Sequence, residues 1–206
     1  MLDRLDLRKI SQGTLAHYDD TADAFWEGTR DHDVSQNVQA LLSHLGIGPL
    51  RILDFGCGPG RDLRTFRDLG HEAVGLDGSA RFVAMARDNA GCEVLHQDFL
   101  ALALPAAYFD GVFANASLFH VPAQELPRVL GELRSTLCPR GLLFSSNPHG
   151  RNEEGWRNQR YGTYLDIKTW RAIVTAAGFV EVEHYYRPAG LPRAQQPWLA
   201  MVWRKE

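Results

Sequence analysis

The chain has 206 residues, 45% of them hydrophobic, and a formal net charge of −3 at pH 7. That length supports one domain with a full apolar core and no need of disulfide or metal staples. Its 22 Lys and Arg are scattered, which excludes a basic nucleic-acid surface, and no apolar run approaches the length of a membrane span. At the N-terminus, MLDRLDLRKI alternates charged and apolar residues and lacks the apolar core of a signal peptide. Val38, Leu41, Leu42 and Leu45 give an amphipathic helix that Gly46 and Gly48 stop. RILDF (51–55) is the first strand, closed by a glycine-rich turn, and a helix over 61–69 follows. EAVGLD (72–77) is the second strand, after which Ser79 is placed to N-cap a helix. CEVLHQD (92–98) and FDGVFAN (109–115) are the third and fourth strands. Leu126, Val129, Leu130, Leu133 and Leu137 recur at helical spacing, GLLFSSN (141–147) is a fifth strand, and Ile167, Trp170, Ile173, Val174 and Ala177 mark another helix. FVEVEHYYR (179–187) and PWLAMVWRK (197–205) are separated by a link too short for a parallel crossover, so they predict an antiparallel pair. Strands alternating with helices predict an α/β domain around a mainly parallel sheet with helices on both faces.

The sharpest chemical signal is DFGCGPGRD, Asp54 to Asp62. Gly56, Gly58 and Gly60 sit where a buried strand turns into a helix, the place at which open α/β sheets bind ligands. The dinucleotide pattern Gly-x-Gly-x-x-Gly requires Gly at position 61, where this chain has Arg61, and a Walker loop lacks its Gly-Lys-Ser/Thr. A tight turn alone would also explain the glycines. The next strand ends in Asp77, an acid able to accept both hydroxyls of a ribose, and the third runs into Asp98 and Phe99, a carboxylate for an exocyclic amine and a ring to stack on a purine. Cys57 lies inside the turn, where backbone geometry constrains it more than thiol chemistry. With Cys92 and Cys138 it makes an odd, widely spaced set, which fits no disulfide framework and no zinc site; no metal is expected, and a reducing cytoplasm is the expected home.

At these residues the chain resembles the class I S-adenosylmethionine-dependent methyltransferases. The resemblance implies a single domain over 1–206: a Rossmann-like, seven-stranded sheet core over 50–206, its last strand antiparallel, and a helical lid over 1–49. It implies S-adenosylmethionine as cofactor, with Gly56, Cys57, Gly58 and Gly60 around its methionine part, Asp77 and Gly78 at the ribose, and Asp98 and Phe99 at the adenine. Tyr18 and Trp26 of the lid would place aromatic faces near the sulfonium. Asn115 to His120 would line the methyl-transfer site, which makes Asn115 and His120 the catalytic candidates. Cys138-Pro139-Arg140-Gly141 departs from the family's Lys-Pro-Gly-Gly and makes a turn with positive φ at Arg140 less comfortable.

A narrower resemblance rests on FWEGTRDHDVSQN, LDFGCGPGRDL, FANASLFHVP, FSSNPHGRNEEGW and HYYRPAGLPRAQQPWLA. These segments are similar to the methyltransferase module of ovothiol synthesis, which methylates the π-nitrogen of 5-thiohistidine. The implied acceptor is that small molecule or its selenium analogue. The implied functional partner is an iron-dependent sulfoxide synthase, because this chain has no His-x-x-x-His-x-Glu segment of its own. Candidate acceptor residues are Phe25, Asp33, Asn37, Phe119, His120, Asn147, Arg151 and Tyr161, with Arg151 offered for the α-carboxylate against a solvated loop arginine, and with core packing the commoner role for an aromatic such as Tyr161. Two other readings stay open: a different small acceptor, and a non-catalytic module that only binds the cofactor.

Overall fold

In the computed structural model, which describes residues 2–206, the strands alternate their side chains between two apolar layers. On β1 (Arg51–Phe55), Ile52 joins one layer while Leu53 and Phe55 join the other. This is the period of two that buries both faces of a central strand. Ahead of it lie three helices, α1 (Arg4–Asp20), α2 (Ala22–Thr29) and α3 (Ser35–Leu42). After it come α4 (Arg61–Asp68), β2 (Glu72–Asp77), α5 (Ala80–Ala90), β3 (Glu93–His96), β4 (Phe109–Asn115), a short 3-10 turn (Leu118–His120), α6 (Leu126–Thr136) and β5 (Leu137–Pro148). A hairpin, β6 (Glu153–Arg157) and β7 (Arg160–Tyr164), precedes α7 (Ile167–Ala176), β8 (Phe179–Arg187) and β9 (Trp198–Lys205). Helices α6 and α7 cover the face built on Leu53, Val112 and Trp203, and α3, α4 and α5 cover the face built on Ile52, Phe113 and Val202.

The main sheet has seven strands in the order β3-β2-β1-β4-β5-β9-β8. Strands β1 to β5 are parallel, and β9 inserts antiparallel between β5 and β8. The order reverses direction between β1 and β4, so a crevice opens there at the carboxyl ends. Register carries distant residues to the same edge: Asn115 pairs with Ser146, Pro148 with Trp198, and Trp198 with Arg187. The start of β9 and the end of β8 thus join the ends of the parallel strands.

The expected strands 51–55, 72–77, 109–115 and 179–187 carry the observed bounds. Three differ. The third strand stops at His96, and the Gln97 side chain instead bonds the backbone of Ala103 at both its oxygen and nitrogen. The fifth begins at Leu137, opposite Phe109, and the pairing slips between Phe109 and Gly111 while Arg140 takes a φ of 64°. The last starts at Trp198 rather than at Pro197. The hairpin was not foreseen in the sequence; Asn158 and Gln159 close it with φ of 48° and 62°, the two-residue turn that matches strand twist. No helix among the described residues is long and apolar enough to cross a membrane.

Candidate active site

Over the carboxyl edge lies a cavity of about 710 Å³, roofed by α1, α2 and the segment leading into α3. Its volume is that of a small-molecule site, about 300–1,000 Å³. The turn after β1 forms its floor because side chains are absent where other backbone must pass. A Cβ on Gly56 would stand 2.4 Å from that of Ser117, and Gly56 takes a φ of 78°, so only glycine fits. The amides of Gly56 and Cys57 donate to the carbonyl of Leu76 at 2.8 and 3.0 Å. Gly60 serves differently: with φ of 92° it starts α4, and its missing Cβ lets α5 approach at Ala86. It does not line the cavity, so its expected contact with a cofactor becomes a helix-packing role. Cys57 lines the cavity, and burial pushes its thiol well above the usual range, which keeps it protonated and inert.

Asp77 ends β2 with its two oxygens accepting the amides of Gly58 and Ser79, each at 2.9 Å. One lone pair on each oxygen is left for a ligand. Burial raises its carboxyl to about 6 against the lowering effect of those amides. Ser79 N-caps α5 as expected and donates to Asp19 of α1 at 2.5 Å, which ties the lid to the sheet. Asp98 accepts from Ser11 of α1 at 2.5 Å and from the Leu100 amide at 2.8 Å. Phe99 stacks on Phe55 with centroids 4.2 Å apart, and both Asp98 and Phe99 line the cavity beside Gly78. A stack of glycine backbone, a part-free carboxylate and an aromatic edge at three successive strand ends fits a nucleoside with a charged tail.

Two polar chains join the lid to the end of β4. In the first, Tyr185 donates to Asn37 Oδ1 at 2.9 Å, Asn37 Nδ2 to Asn115 Oδ1 at 3.0 Å, and Asn115 Nδ2 to Asp62 Oδ2 at 3.0 Å. Arg61 closes it with a two-pronged bond to Asp62 and a third to the Thr29 carbonyl at 2.8 Å. The second chain runs through His120. The Tyr161 carbonyl lies 2.7 Å from Nδ1 and can only accept, so Nδ1 carries the proton. The Nε2 lone pair then accepts the Tyr18 hydroxyl at 2.8 Å, and Arg160 donates to that same hydroxyl oxygen at 3.3 Å. Burial, with the Arg160 charge adding to it, lowers His120 to about 4 despite the Tyr161 bond. It is therefore neutral near pH 7, and both its nitrogens are engaged.

Most of the expected site residues meet here. Tyr18, Phe25, Trp26, Asp33, Asn37, Gly56, Cys57, Gly58, Asp77, Gly78, Asp98, Phe99, Asn115, Phe119 and His120 all line the cavity. Tyr18, Phe25 and Phe82 form an aromatic cluster with centroids 5.1 to 5.6 Å apart. Four expectations fall elsewhere. Asn147 points to the opposite face of β5, into a small apolar gap with Trp170 and Leu199. Arg151 is exposed in the turn before β6, so it does not reach an enclosed acceptor. Tyr161 turns its ring to Trp156 and offers only its carbonyl to the site. Gly60 packs helices, as described. Sequence reading also missed Arg61, Asp62 and Arg160, and gave Arg187 no separate weight; Arg61 and Asp62 stood inside the quoted motif, whereas Arg160 depends on the unforeseen hairpin.

Comparison with known proteins agrees with this geometry. The methyltransferase domain family matches residues 52–141. Similar proteins include the malonyl-[acyl-carrier protein] O-methyltransferase of Erwinia pyrifoliae, 33% identical over 141 residues, 65% of this chain and 53% of that protein. Another is the ubiquinone biosynthesis O-methyltransferase of Rhodopseudomonas palustris, 33% identical over 102 residues, 48% of this chain and 40% of the relative. The chain thus spans about half the length of these relatives or less. Among solved structures, the 1,6-didemethyltoxoflavin-N1-methyltransferase of Burkholderia thailandensis, with bound 1,6-didemethyltoxoflavin and S-adenosylhomocysteine, superposes with a TM-score of 0.81 over 100% of this chain and 92% of its own. At 21% identity that likeness shows the fold.

Proposed function

We propose, for a chain that carries a class I S-adenosylmethionine-dependent methyltransferase domain, that the acceptor is 5-thiohistidine, methylated at the π-nitrogen of its imidazole to give ovothiol A. One observation carries this reading. The five segments similar to the ovothiol methyltransferase are scattered from residue 25 to residue 200, yet each contributes residues to the same cavity: Trp26 and Asn37 from the first, Gly56 and Arg61 from the second, Phe119 and His120 from the third, Ser146 from the fourth, and Arg187 and Trp198 from the last. The pairing of β5, β9 and β8 brings the fourth and fifth to this edge; what supports the acceptor is that the residues standing there are those of the segments similar to the ovothiol methyltransferase.

Bound S-adenosylmethionine supplies an electrophilic methyl group on a sulfonium. Asp77 and Asp98 would hold its ribose and adenine, and the aromatic cluster of Tyr18, Phe25 and Phe82, with Trp26, would face its charged end. What remains for the protein is to orient a neutral imidazole and exclude water, and alignment of two bound reactants supplies roughly 7 to 11 kcal/mol. The roof formed by α1 and α2 closes the site, which suits a small acceptor. His120 acts here as a positioning residue: its Nε2 is filled by Tyr18, so it sets the phenol in place and takes no proton from the acceptor directly. The substrates named for the O-methyltransferase relatives carry less weight, because those alignments leave about half or more of each relative outside.

The test is turnover. Purified protein with S-adenosylmethionine and 5-thiohistidine should yield a singly methylated product by mass spectrometry. Tight binding of S-adenosylhomocysteine without any methylated 5-thiohistidine overturns the acceptor assignment and leaves the cofactor site standing.

A further inference from the structure

Three arginines line the cavity, and they differ in what balances them. Arg61 is neutralised by its two-pronged bond to Asp62. Arg187 forms no ion pair and its Nε is also buried without a partner, but it donates to the Asp33 backbone carbonyl at 2.8 Å. Arg160 has neither an ion pair nor a carbonyl partner. Its side chain makes one hydrogen bond, to the Tyr18 hydroxyl, its Nε is buried without a partner, and among the described residues no carboxylate pairs with it. A guanidinium held in a half-buried cleft with donors unused is costly unless an anion arrives to meet it. Its fork of N–H donors matches a carboxylate.

The place of Arg160 indicates whose carboxylate this is. The nucleoside-shaped part of the cavity lies over β1, β2 and β3, at Asp77 and Asp98. Arg160 starts β7, on the far side of β4, where the hairpin packs on α1 and on the turn holding His120: the Tyr161 amide donates to the Thr14 hydroxyl of α1 at 3.0 Å, and its carbonyl accepts from His120. The hairpin also falls outside residues 52–141, the part matched by the methyltransferase domain family. We propose that Arg160 anchors a carboxylate of the methyl acceptor, and so selects amino-acid-like acceptors over their decarboxylated amines. This rests on the small imidazole acceptor proposed above, and it transfers to Arg160 the task that the sequence assigned to Arg151.

The experiment compares 5-thiohistidine with 4-(2-aminoethyl)imidazole-5-thiol, which keeps the ring, thiol and amine and lacks the carboxylate. Wild type should favour 5-thiohistidine in kcat/KM by about 10- to 100-fold, mainly through KM, and Arg160→Gln should bring that ratio close to one. Arg160→Lys should restore part of it, since charge returns without the fork. An unchanged ratio in Arg160→Gln overturns the proposal. So does a loss seen in S-adenosylhomocysteine affinity by calorimetry in place of the acceptor ratio, which would give Arg160 to the cofactor's own carboxylate. Should wild type methylate neither compound, the acceptor assignment fails by itself, and the anchor is judged by binding alone. L-histidine should then bind the S-adenosylhomocysteine complex more tightly than histamine does, and the preference should vanish in Arg160→Gln. No preference in wild type, including no binding of either, overturns the anchor as well.

Discussion

His120 shows how a single hydrogen bond to a backbone carbonyl fixes the chemistry of a site. Because Tyr161 can only accept, the ring is the Nδ1–H tautomer, and Tyr18 must donate to Nε2. Long-range nitrogen–proton NMR should find that tautomer at neutral pH with no His120 titration above about pH 5; a resonance titrating near 6.5 would contradict the arrangement. The sign for stability follows: a histidine depressed from 6.5 to about 4 takes its proton first in the unfolded chain, so this stabilising difference is lost as pH falls through that window. Asp77 works in the opposite sense. Raised from 3.8 to about 6, it ionises only near that pH in the folded protein, and the ionised form is the better acceptor for ribose hydroxyls. Affinity for S-adenosylhomocysteine should therefore rise between pH 5 and pH 7 by calorimetry, and Asp77→Asn should weaken it by about 1 to 3 kcal/mol and flatten that dependence. An unchanged dissociation constant would remove Asp77 from the ribose. Both residues were readable from the sequence because strand ends and glycine turns are set locally, by backbone sterics. Arg151 and Arg160 were not separable that way, since nine residues apart on a turn and a hairpin, only tertiary packing decides which one faces the cavity.

At the scale of elements, α3 is fastened to the sheet by Val38 and Leu41 in the apolar core, and polar bonds add fixed points along the lid. Asp19 of α1 accepts from Ser79 and from the Arg81 amide at the start of α5, where the free amides of a helix N-terminus favour an anion. Asn37 of α3 is 1% exposed and bridges Tyr185 to Asn115. Asn37→Ala removes the nearer acceptor of the Tyr185 hydroxyl and the donor to Asn115 Oδ1, and should cost roughly 1 to 3 kcal/mol in denaturant unfolding, with a fall in turnover alongside. Trp26, half-buried in the roof, should behave otherwise: Trp26→Ala is expected to reduce turnover more than stability, and wild-type turnover would return α2 to the scaffold. The helices and strands of the sheet core were readable because hydrophobic period and turn glycines agree there. The hairpin β6–β7 was hidden because its strands are short and largely exposed on β6, so no alternation marked them. What pins it is long-range: Trp156 lies over Gly13, where a Cβ would come within 2.7 Å of its ring. Gly13→Leu should therefore lift the hairpin from α1, measured as faster amide exchange at Tyr161.

For the molecule as a whole, one edge of one sheet gathers two kinds of contribution. Residues 52–141, which match the methyltransferase domain family, supply the glycine turn, Asp77, Asp98 and Asn115. The roof helices, the hairpin and the β8–β9 end supply Tyr18, Asn37, Arg160, Arg187 and Trp198. The antiparallel insertion of β9 makes this possible, since it brings the start of that strand and the end of β8 to the carboxyl edge. In the proposed reading the first set holds the cofactor, Tyr18 of the second faces its sulfonium, and Asn37, Arg160, Arg187 and Trp198 are left to meet the acceptor. The most direct test uses methyl-labelled S-adenosylmethionine with 5-thiohistidine and locates the transferred methyl by NMR. A π-nitrogen methyl lies next to the ring carbon that bears the side chain, so a cross-relaxation peak between the labelled methyl and the β-methylene protons is predicted. A methyl found on sulfur or on the τ-nitrogen, or no labelled product from protein that binds the cofactor, would contradict the account.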